Sequence, residues 1–529
     1  METTPSTETQ SKAGFITRFV RWLFSWRTVR RGLIALVGLI TFVALLITEE
    51  NWRGKHDWER YKSEWEAKGE RFDMAGVAPP PVPDDQNFFM APIWAGVLNK
   101  QWDPKTEDWK LRDTNIVDRL RMQRDANLLG VESPNGGGSW EKGRITDLKP
   151  WQDYYRQAAL QTNLFPVPPQ PRAPAEDVLL ALSKSDSAIE ELRQASRRPY
   201  ARFPINYDAG FDAVAASLDH FAELKRCAQM LQLRTIAELQ LGRTEDALAD
   251  TKLMLGLTDA LRTEPFLISH LVRVALASIT LQPIWEGLAQ HKWSDSQLAE
   301  LGEVLAKEDF LADYQFAMRG ERACGNEAMA RYRVGHFSTG SDNAQDLPRW
   351  LMPGGFFYQN QIVVDRLYQQ FSLPAVDAAA RRVHVEMCTT NALNAALGAR
   401  TPYTIFARLL FPAFQKAALR FARIQTSADM ASVACALERY RLAHGDYPGA
   451  LDALAPKFID KVPHDIINGQ PLHYRRTDDP PPQGSGTAGG RFVIYSVGWN
   501  EKDDGGTVVV KKSGTPDIEQ GDWVWQIPK

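Results

Sequence analysis

The sequence predicts a mainly α-helical protein with four parts: a single N-terminal transmembrane helix, an irregular proline-rich segment, an α-helical body, and a small α+β C-terminal head made of a long helix and a short antiparallel sheet. Three observations lead to this prediction. An apolar run without charge or proline extends from Gly32 to Thr48. Apolar residues recur at helical spacing through residues 175–400. A long helical pattern then stops at Gly445, and alternating strand patterns follow it.

The apolar run, residues 32–48, is the predicted transmembrane helix. At 1.5 Å per residue it is about 25 Å long, close to the lower limit for crossing a bilayer core. Residues 1–31 form a basic leader, whereas Glu49 and Glu50 follow the run. Because cytoplasmic flanks of membrane helices are rich in Lys and Arg, we expect the leader to be cytoplasmic and the rest of the chain to lie outside. A cleaved signal peptide and a buried core helix are the alternatives.

The composition indicates a folded protein and argues against nucleic acid as a primary partner. Hydrophobic residues make up 44% of the chain and charged residues 24%, and the net charge is −3. The strongly basic balance of a nucleic-acid-binding protein is therefore missing. The four cysteines form no Cys-x-x-Cys pair, which argues against a zinc ribbon or a thioredoxin-type site. Disulfide pairing and buried thiols both remain open for Cys227, Cys324, Cys388 and Cys435.

Residues 49–174 are predicted to be a juxtamembrane, linker-rich region. It starts with an amphipathic helix around Trp58, and two proline clusters, at 79–83 and 166–174, then favour extended backbone. The helical body, residues 175–400, contains two helices that meet at Gly242. Their residues resemble one tetratricopeptide unit, but further copies at a 34-residue period are missing, so an ordinary αα-hairpin is expected.

One apolar stretch of the body contains His270 and Arg273, and it is interpreted as a buried central helix because charged groups inside a membrane are costly. The body carries no recognisable catalytic motif. Glu321 and His270 are the candidates for a hydrolytic site, since a carboxylate and an imidazole can transfer protons. Arg319, Glu321 and Arg322 form a dense charge cluster, which we interpret as a buried ion-pair network rather than a binding site.

Residues 413–529 carry an ordered set of turn and strand signals. Gly445 can adopt positive φ and end the long helix, and Pro448 suits the first turn of a short helix. A turn at Asn468-Gly469 precedes one strand, and a return strand follows a flexible tip at 480–490. This order resembles the head of the major pseudopilin of type II secretion systems, at Gly445, Tyr447, Pro448, Pro463, Asp465, Gly469, Pro471, Tyr474, Tyr495, Ser496, Gly498, Asp503, Asp504 and Gly505. The whole chain looks like large uncharacterised bacterial envelope proteins that carry this module.

The resemblance implies calcium in the acidic loop of the head. In this sequence the implied ligands are Asn500, Asp503, Asp504 and Asp522, with Asp517 as a further candidate. Calcium takes six to eight oxygen ligands, which Asp carboxylates, Asn side chains and main-chain carbonyls supply. The alternative is a solvated acidic turn without metal.

These features favour an interaction or assembly protein over an enzyme. We expect a single-pass protein of a bacterial inner membrane, with a cytoplasmic N-terminus and the bulk in the periplasm. The pseudopilin-like head links the expectation to secretion or envelope organisation and to an envelope protein as partner. An envelope hydrolase with its site in the helical body is the alternative.

Overall fold

The computed structural model is mainly helical with small antiparallel sheets, as the sequence predicts. Most of the basic leader and the flexible tip predicted at 480–490 lie outside the described residues. These are residues 14, 19–20, 22, 24–103, 108–113, 119–120, 122–126, 128–134, 137–207, 218–334, 353–477 and 491–527.

The helices and strands are numbered in chain order. The helices are α1 (Trp26–Glu66), α2 (Met74–Val77), α3 (Ala95–Leu98), α4 (Lys149–Ala158), α5 (Pro174–Leu182), α6 (Asp186–Ala195), α7 (Asp219–Gln240), α8 (Thr244–Asp259), α9 (Leu267–Ala289), α10 (Asp295–Ala306), α11 (Phe310–Val334), α12 (Gly354–Leu367), α13 (Thr390–Leu397) and α14 (Ile405–His444). The strands are β1 (Lys100–Asp103), β2 (Asp108–Leu111), β3 (Val376–Asp377), β4 (Arg382–Val383), β5 (His473–Thr477), β6 (Arg491–Ser496), β7 (Val508–Val510), β8 (Pro516–Gly521) and β9 (Trp523–Gln526). Strands β5, β6 and β9 form a three-stranded antiparallel sheet, and β1–β2, β3–β4 and β7–β8 are two-stranded antiparallel pairs.

Helix α1 joins the predicted membrane segment to the folded body without a break. Ser25 caps its start by accepting a hydrogen bond from the Thr28 N–H at 3.3 Å. The large apolar side chains from residue 33 to residue 46 are all exposed, whereas Gly54 is buried against α12. No proline lies between the apolar run and the amphipathic stretch around Trp58, so the two predicted helices are one.

Two helices of the described chain, α1 and α9, are long and apolar enough to cross a membrane. The apolar part of α1 is 0% buried, whereas that of α9 is 56% buried inside the fold. His270 and Arg273 of α9 are fully buried, and the Arg273 guanidinium pairs with Asp313 at 2.7 Å. Helix α9 is therefore the buried central helix that the sequence predicts.

Local sequence signals place the other ends of the body helices. Gly242 has φ +73° and separates α7 from α8. Ser294 and Gln297 form a capping box at the start of α10, in which each side chain accepts a hydrogen bond from the other residue's backbone N–H.

The long C-terminal helix α14 begins earlier than the sequence predicts, at Ile405, and it contains Pro412. Gly445 ends it with φ +87°, as expected. The short helix predicted after Pro448 is only a 3-10 turn, Leu451–Leu454. In the sheet, β6 is the central strand, with His473 opposite Tyr495 on one side and Ile494 opposite Trp525 on the other.

Two hydrophobic cores hold the fold together. One contains residues of the helical body and of the C-terminal sheet, such as Trp285 and Trp525, and every residue of α14 from 421 to 438 is buried. The other joins α7 and α8 to residues of the region predicted to be linker-rich, including Phe89 and Trp151. The head therefore packs in the same core as the body, and part of the linker-rich region is core.

Candidate functional site

The structure brings three of the predicted calcium ligands together. The Asn500 side-chain amide donates to an Asp504 carboxylate oxygen at 2.9 Å. Asp522 is 3% exposed, and its carboxylate accepts backbone N–H groups from Asp504, Gly506 and Thr507 at 3.2, 2.6 and 3.2 Å. Burial raises the pKa of Asp522 although these hydrogen bonds favour its ionised form. The Asp522 carboxylate thus organises the acidic loop by binding backbone N–H groups of the loop residues.

The other two candidates point elsewhere. Asp503 accepts the Gly505 N–H at 2.9 Å, which lowers its pKa, and its second oxygen lies 3.7 Å from His473 Nδ1. Asp517 lies 3.6 Å from the Lys511 amine. Within the described residues, no three His, Cys, Asp or Glu side chains form a group that could hold a metal. The oxygen donors suit calcium by type, but a calcium ion would need main-chain carbonyls besides Asn500, Asp504 and Asp522.

The two hydrolase candidates of the body lie near the start of α9, although Glu321 belongs to α11 and only His270 to α9. A Glu321 carboxylate oxygen accepts the Leu267 N–H at 2.9 Å and so caps the first turn of α9. His270 is fully buried one turn later. Burial lowers its pKa, so the imidazole is neutral, and neither ring nitrogen has a hydrogen-bond partner among the described residues. Glu321 therefore serves as a helix cap, and the thiol nearest to it, Cys324, is held protonated because burial raises its pKa.

Two residues of the predicted charge cluster of α11, Arg319 and Arg322, form an ion-pair network with Glu70, whereas Glu321 takes no part in it. Arg322, whose side chain is fully buried, donates to Glu70 at 2.7 Å and lies 4.3 Å from the centre of the Phe72 ring. Arg319 pairs with the same carboxylate at 3.2 Å. Burial by itself raises the pKa of Glu70, but the hydrogen bonds from the two arginines outweigh it, and the pKa is lowered. The network fastens the segment after α1 to the body.

No disulfide joins the four cysteines, and three of them have thiols with a raised pKa. Burial raises the pKa of each of them to about 12, so they are protonated at neutral pH. They are Cys324, Cys388 and Cys435. Cys227 is buried on α7.

A cleft of about 760 Å³ lies between α10, α14 and residues 456–464, beside the β3–β4 turn. The Arg381 guanidinium pairs there with both Asp429 carboxylate oxygens at 2.7 Å, and His464 Nε2 lies 3.0 Å from the Arg381 carbonyl oxygen. Burial raises the pKa of Asp429 although Arg381 favours its ionised form. The volume is in the range of ligand-binding sites.

The cleft carries an excess of positive charge. Five Lys and Arg side chains line it against three Asp and Glu, and Arg381 and Asp429 neutralise each other. Among the described residues none forms an ion pair with Lys307, Lys457 or Lys461. This site could not be predicted from the sequence, because its walls come from four separate segments and no motif or spacing connects them.

Comparison of the chain with protein-family models, with curated proteins and with solved structures gave no match. The likeness of residues 413–529 to a pseudopilin head therefore stays a prediction that depends on the motif residues alone. Function has to be argued from the geometry of the chain.

Proposed function

We propose that the protein is a single-pass, membrane-anchored interaction or assembly protein of a bacterial inner membrane. Helix α1 carries this proposal, because its apolar half is wholly exposed while its second half packs into the body. An exposed apolar run of this length needs an apolar environment, and a bilayer core supplies one. Since α9, the other sufficiently apolar helix of the described residues, serves as core, one span accounts for the part of the chain that the structure describes.

The anchor is held firmly against the body. A Cβ at Gly54 would lie 2.9 Å from the Gly355 Cα, so the two backbones approach closely. The Asn51 side chain accepts the Gly355 N–H at 2.7 Å, which satisfies a free donor at the start of α12. These contacts begin within one turn of the apolar run. A body attached in this way keeps a fixed orientation to the membrane, which suits a protein that presents a surface to a partner.

The orientation of the span follows from charge. The leader is basic and the residues directly after the run are acidic, so the leader stays in the cytoplasm and the body lies in the periplasm. A reporter enzyme that works only outside the cytoplasm should be active when fused after Lys529. Protease added to spheroplasts should degrade the body. An inactive reporter together with a protected body would reverse the proposed topology.

Contacts within the head support its likeness to a pseudopilin head. Asp465, in the turn before β5, accepts hydrogen bonds from the Ser496 hydroxyl and the Val497 N–H, at 2.9 and 3.0 Å. The Tyr474 hydroxyl donates to the Pro448 carbonyl at 2.7 Å. These motif residues thus hold the turns and strands to one another. Because α14 is buried from 421 to 438, this part of the helix cannot also pack into a filament, and the head serves as a part of the body.

The partner proposed for the cleft is an acidic segment of an envelope protein. The lysine amines at its rim are the charges that such a segment would neutralise, and the Phe458 ring between Lys457 and Arg439 offers apolar contact. Complementary charge speeds association and selects the partner. A link to secretion or envelope organisation comes only from the resemblance of the head.

A photo-crosslinking residue at Lys461, in native membranes, tests the cleft. A matched crosslinker at Lys512, an exposed lysine outside it, is the control. We expect a specific adduct from position 461 that is lost when Lys457 is changed to Glu, and binding of the acidic segment of the captured protein to the purified full chain. The same adducts from both positions, or an adduct unaffected by Lys457→Glu, would rule out the cleft as the contact site.

The hydrolase alternative gains no specific support. The Glu321 carboxylate caps a helix, and His270 is fully buried. Reproducible hydrolysis of a peptide, glycan or phosphoester, abolished by Glu321→Gln in a variant that still folds, would restore it.

A further inference from the structure

The start of helix α14 lies beside the end of the apolar run of α1. Tyr403, in the 3-10 turn just before α14, lies close enough to Glu50 and Arg53 on α1 for their charges to act on its hydroxyl. These α1 residues come directly after the apolar run, which ends at Thr48. In the proposed membrane topology, Tyr403 is therefore at the level of the lipid headgroups.

Helix α12 fixes this arrangement, because it runs alongside α1 and also contacts the start of α14. Its first residues pack on α1 near Asn51, and Gln359 reaches Asp57 one and a half turns further on. Its Asn360 side chain donates to the Pro402 carbonyl at 3.2 Å. The Phe406 ring centre lies 6.1 Å from that of Phe356, in the first turn of α12. The first turn of α14 is thus held at the membrane-facing end of the body.

The same turns of α14 expose large apolar side chains. Ile405, Leu409 and Leu410 are 52%, 73% and 36% exposed, whereas residues 421–438 of the same helix are all buried. Ile405 and Leu409 are one helical turn apart and so share a face. A cluster of exposed aliphatic side chains of this kind marks a surface that another apolar phase covers.

The charges around the cluster suit anionic lipid. No acidic residue occurs between Glu386 and Asp429, whereas Arg400, Lys416 and Arg420 are exposed there. The acidic residues on the neighbouring α1, Glu49 and Glu50, both pair with Arg53. Trp52 of α1, one turn beyond the apolar run, is 68% exposed. Trp and Tyr at this level, with basic residues nearby, are typical of side chains in the membrane interface.

We propose that residues 405–413 form a second membrane contact, in which the start of α14 lies in the lipid interface beside the anchor. Ile405, Leu409 and Leu410 reach the upper acyl region, and the basic side chains meet lipid phosphates. The inference rests on the proposed function, because it takes α1 as the membrane span. Two separated contacts fix the tilt of the body as well as its distance from the membrane.

The test measures how deeply labelled residues of the full chain lie in the lipid of vesicles made of phosphatidylcholine and phosphatidylglycerol. A fluorophore is attached to a single introduced cysteine, in the variant Ile405→Cys, Leu442→Cys or Ile40→Cys. Each variant also carries Cys388→Ser. The quencher is a lipid with a nitroxide high on its acyl chain. Leu442 is the matched control, an exposed aliphatic residue near the other end of α14. We expect quenching at position 405 to exceed that at 442 at least about twofold, because the 40-residue helix holds the sites about 55 Å apart.

The three positions separate the possible failures. Equal quenching of the labels at 405 and 442 overturns the second contact. If a nitroxide deep in the acyl chain then strongly quenches the label at 40, the proposed anchor is still supported. A blue-shifted but unquenched label at 405 shows that protein, such as a second copy of the chain, covers the patch, which also overturns the second contact. A label at 40 that no nitroxide quenches overturns the anchor and the second contact together. A label at Leu409→Cys repeats the measurement if the change at Ile405 impairs folding.

Discussion

Removing the hydroxyl of Tyr447 should destabilise the end of helix α14. This hydroxyl donates a hydrogen bond to a Glu438 carboxylate oxygen at 2.6 Å, and Glu438 is 1% exposed. The same carboxylate accepts from Arg441 at 2.6 Å and lies 2.7 Å from His291 Nδ1. A hydrogen bond to a charged group contributes about 1.5–3 kcal/mol. Tyr447→Phe should therefore lower the free energy of unfolding by about 2 kcal/mol at neutral pH.

The stability that Glu438 contributes should depend on pH, and its lowered pKa sets the direction. Burial alone would raise the pKa of Glu438, but the hydrogen bonds from His291, Arg441 and Tyr447 outweigh it and lower the pKa to about 2. A carboxyl group whose pKa is lower in the folded state stabilises that state above its unfolded pKa, near 4.5, and loses this contribution as the pH falls toward 2. A difference of about 2.5 pKa units corresponds to about 3 kcal/mol. Glu438→Gln should therefore cost most at pH 7 and less than half as much at pH 3, where the folded carboxyl is still mostly ionised.

Denaturant unfolding of the full chain in detergent, followed by tryptophan fluorescence between pH 3 and pH 7, measures these changes. The set comprises the wild type, Tyr447→Phe, Glu438→Gln and the double variant, because the coupling between the two sites isolates their interaction. Tyr474→Phe is the matched control, since its hydroxyl binds a neutral carbonyl and its cost, about 1 kcal/mol, should not vary over this range. Additive costs for the Tyr447 and Glu438 changes, or a Glu438→Gln cost that is the same at pH 3 and pH 7, would refute the reasoning.

Three further predictions concern other parts of the molecule. Calcium should raise the melting temperature of the full chain above that measured with a chelator. At a calcium concentration a hundred times the dissociation constant, the gain in free energy of unfolding should be about 2.7 kcal/mol. Asp522→Asn should abolish the rise and Asp517→Asn should not, whereas identical melting curves at millimolar calcium would exclude the site. Gly355→Ala should cost about 1–3 kcal/mol in the same unfolding assay, because its Cβ would collide with the backbone of α1, whereas at Gly449 nothing lies within 4 Å of the added Cβ and the change should be nearly neutral. Alkylation of Cys388 at pH 8 should be about a thousandfold slower in the folded protein than in denaturant, because burial raises its thiol pKa to about 12; equal rates would contradict this.

Short-range signals were enough to predict several elements. Gly445 ends α14 and Gly242 separates α7 from α8, because each adopts a positive φ that other residues rarely adopt. Ser294 and Gln297 start α10 with a capping box, which is a local feature of neighbouring residues. His270 and Arg273 inside an apolar stretch indicated a buried helix rather than a second span. In each case neighbouring residues contain the physical cause.

Elements that depend on distant contacts could not be predicted in the same way. The sequence pattern places the start of the head at residue 413, but the helix starts at Ile405, where α12 contacts it through Phe406. The acidic residues of the loop looked equivalent in sequence, but the fold turns Asp503 toward His473 and buries Asp522. The cleft could not be predicted from the sequence for the same reason, since its walls are adjacent only after folding.

Helix α14 relates the cleft to the membrane. It begins beside the last residues of the proposed anchor, and Asp429, Ser432 and Arg439 of its second half line the cleft. From Ile405 to Ser432 the helix rises about 40 Å. Because the helix is continuous and its residues 421–438 are buried in the shared core, it acts as a rigid spacer between the two sites. A partner segment bound in the cleft would therefore be held at a fixed distance along this helix from the lipid surface. This arrangement favours a partner that itself extends well away from the bilayer over one confined to it.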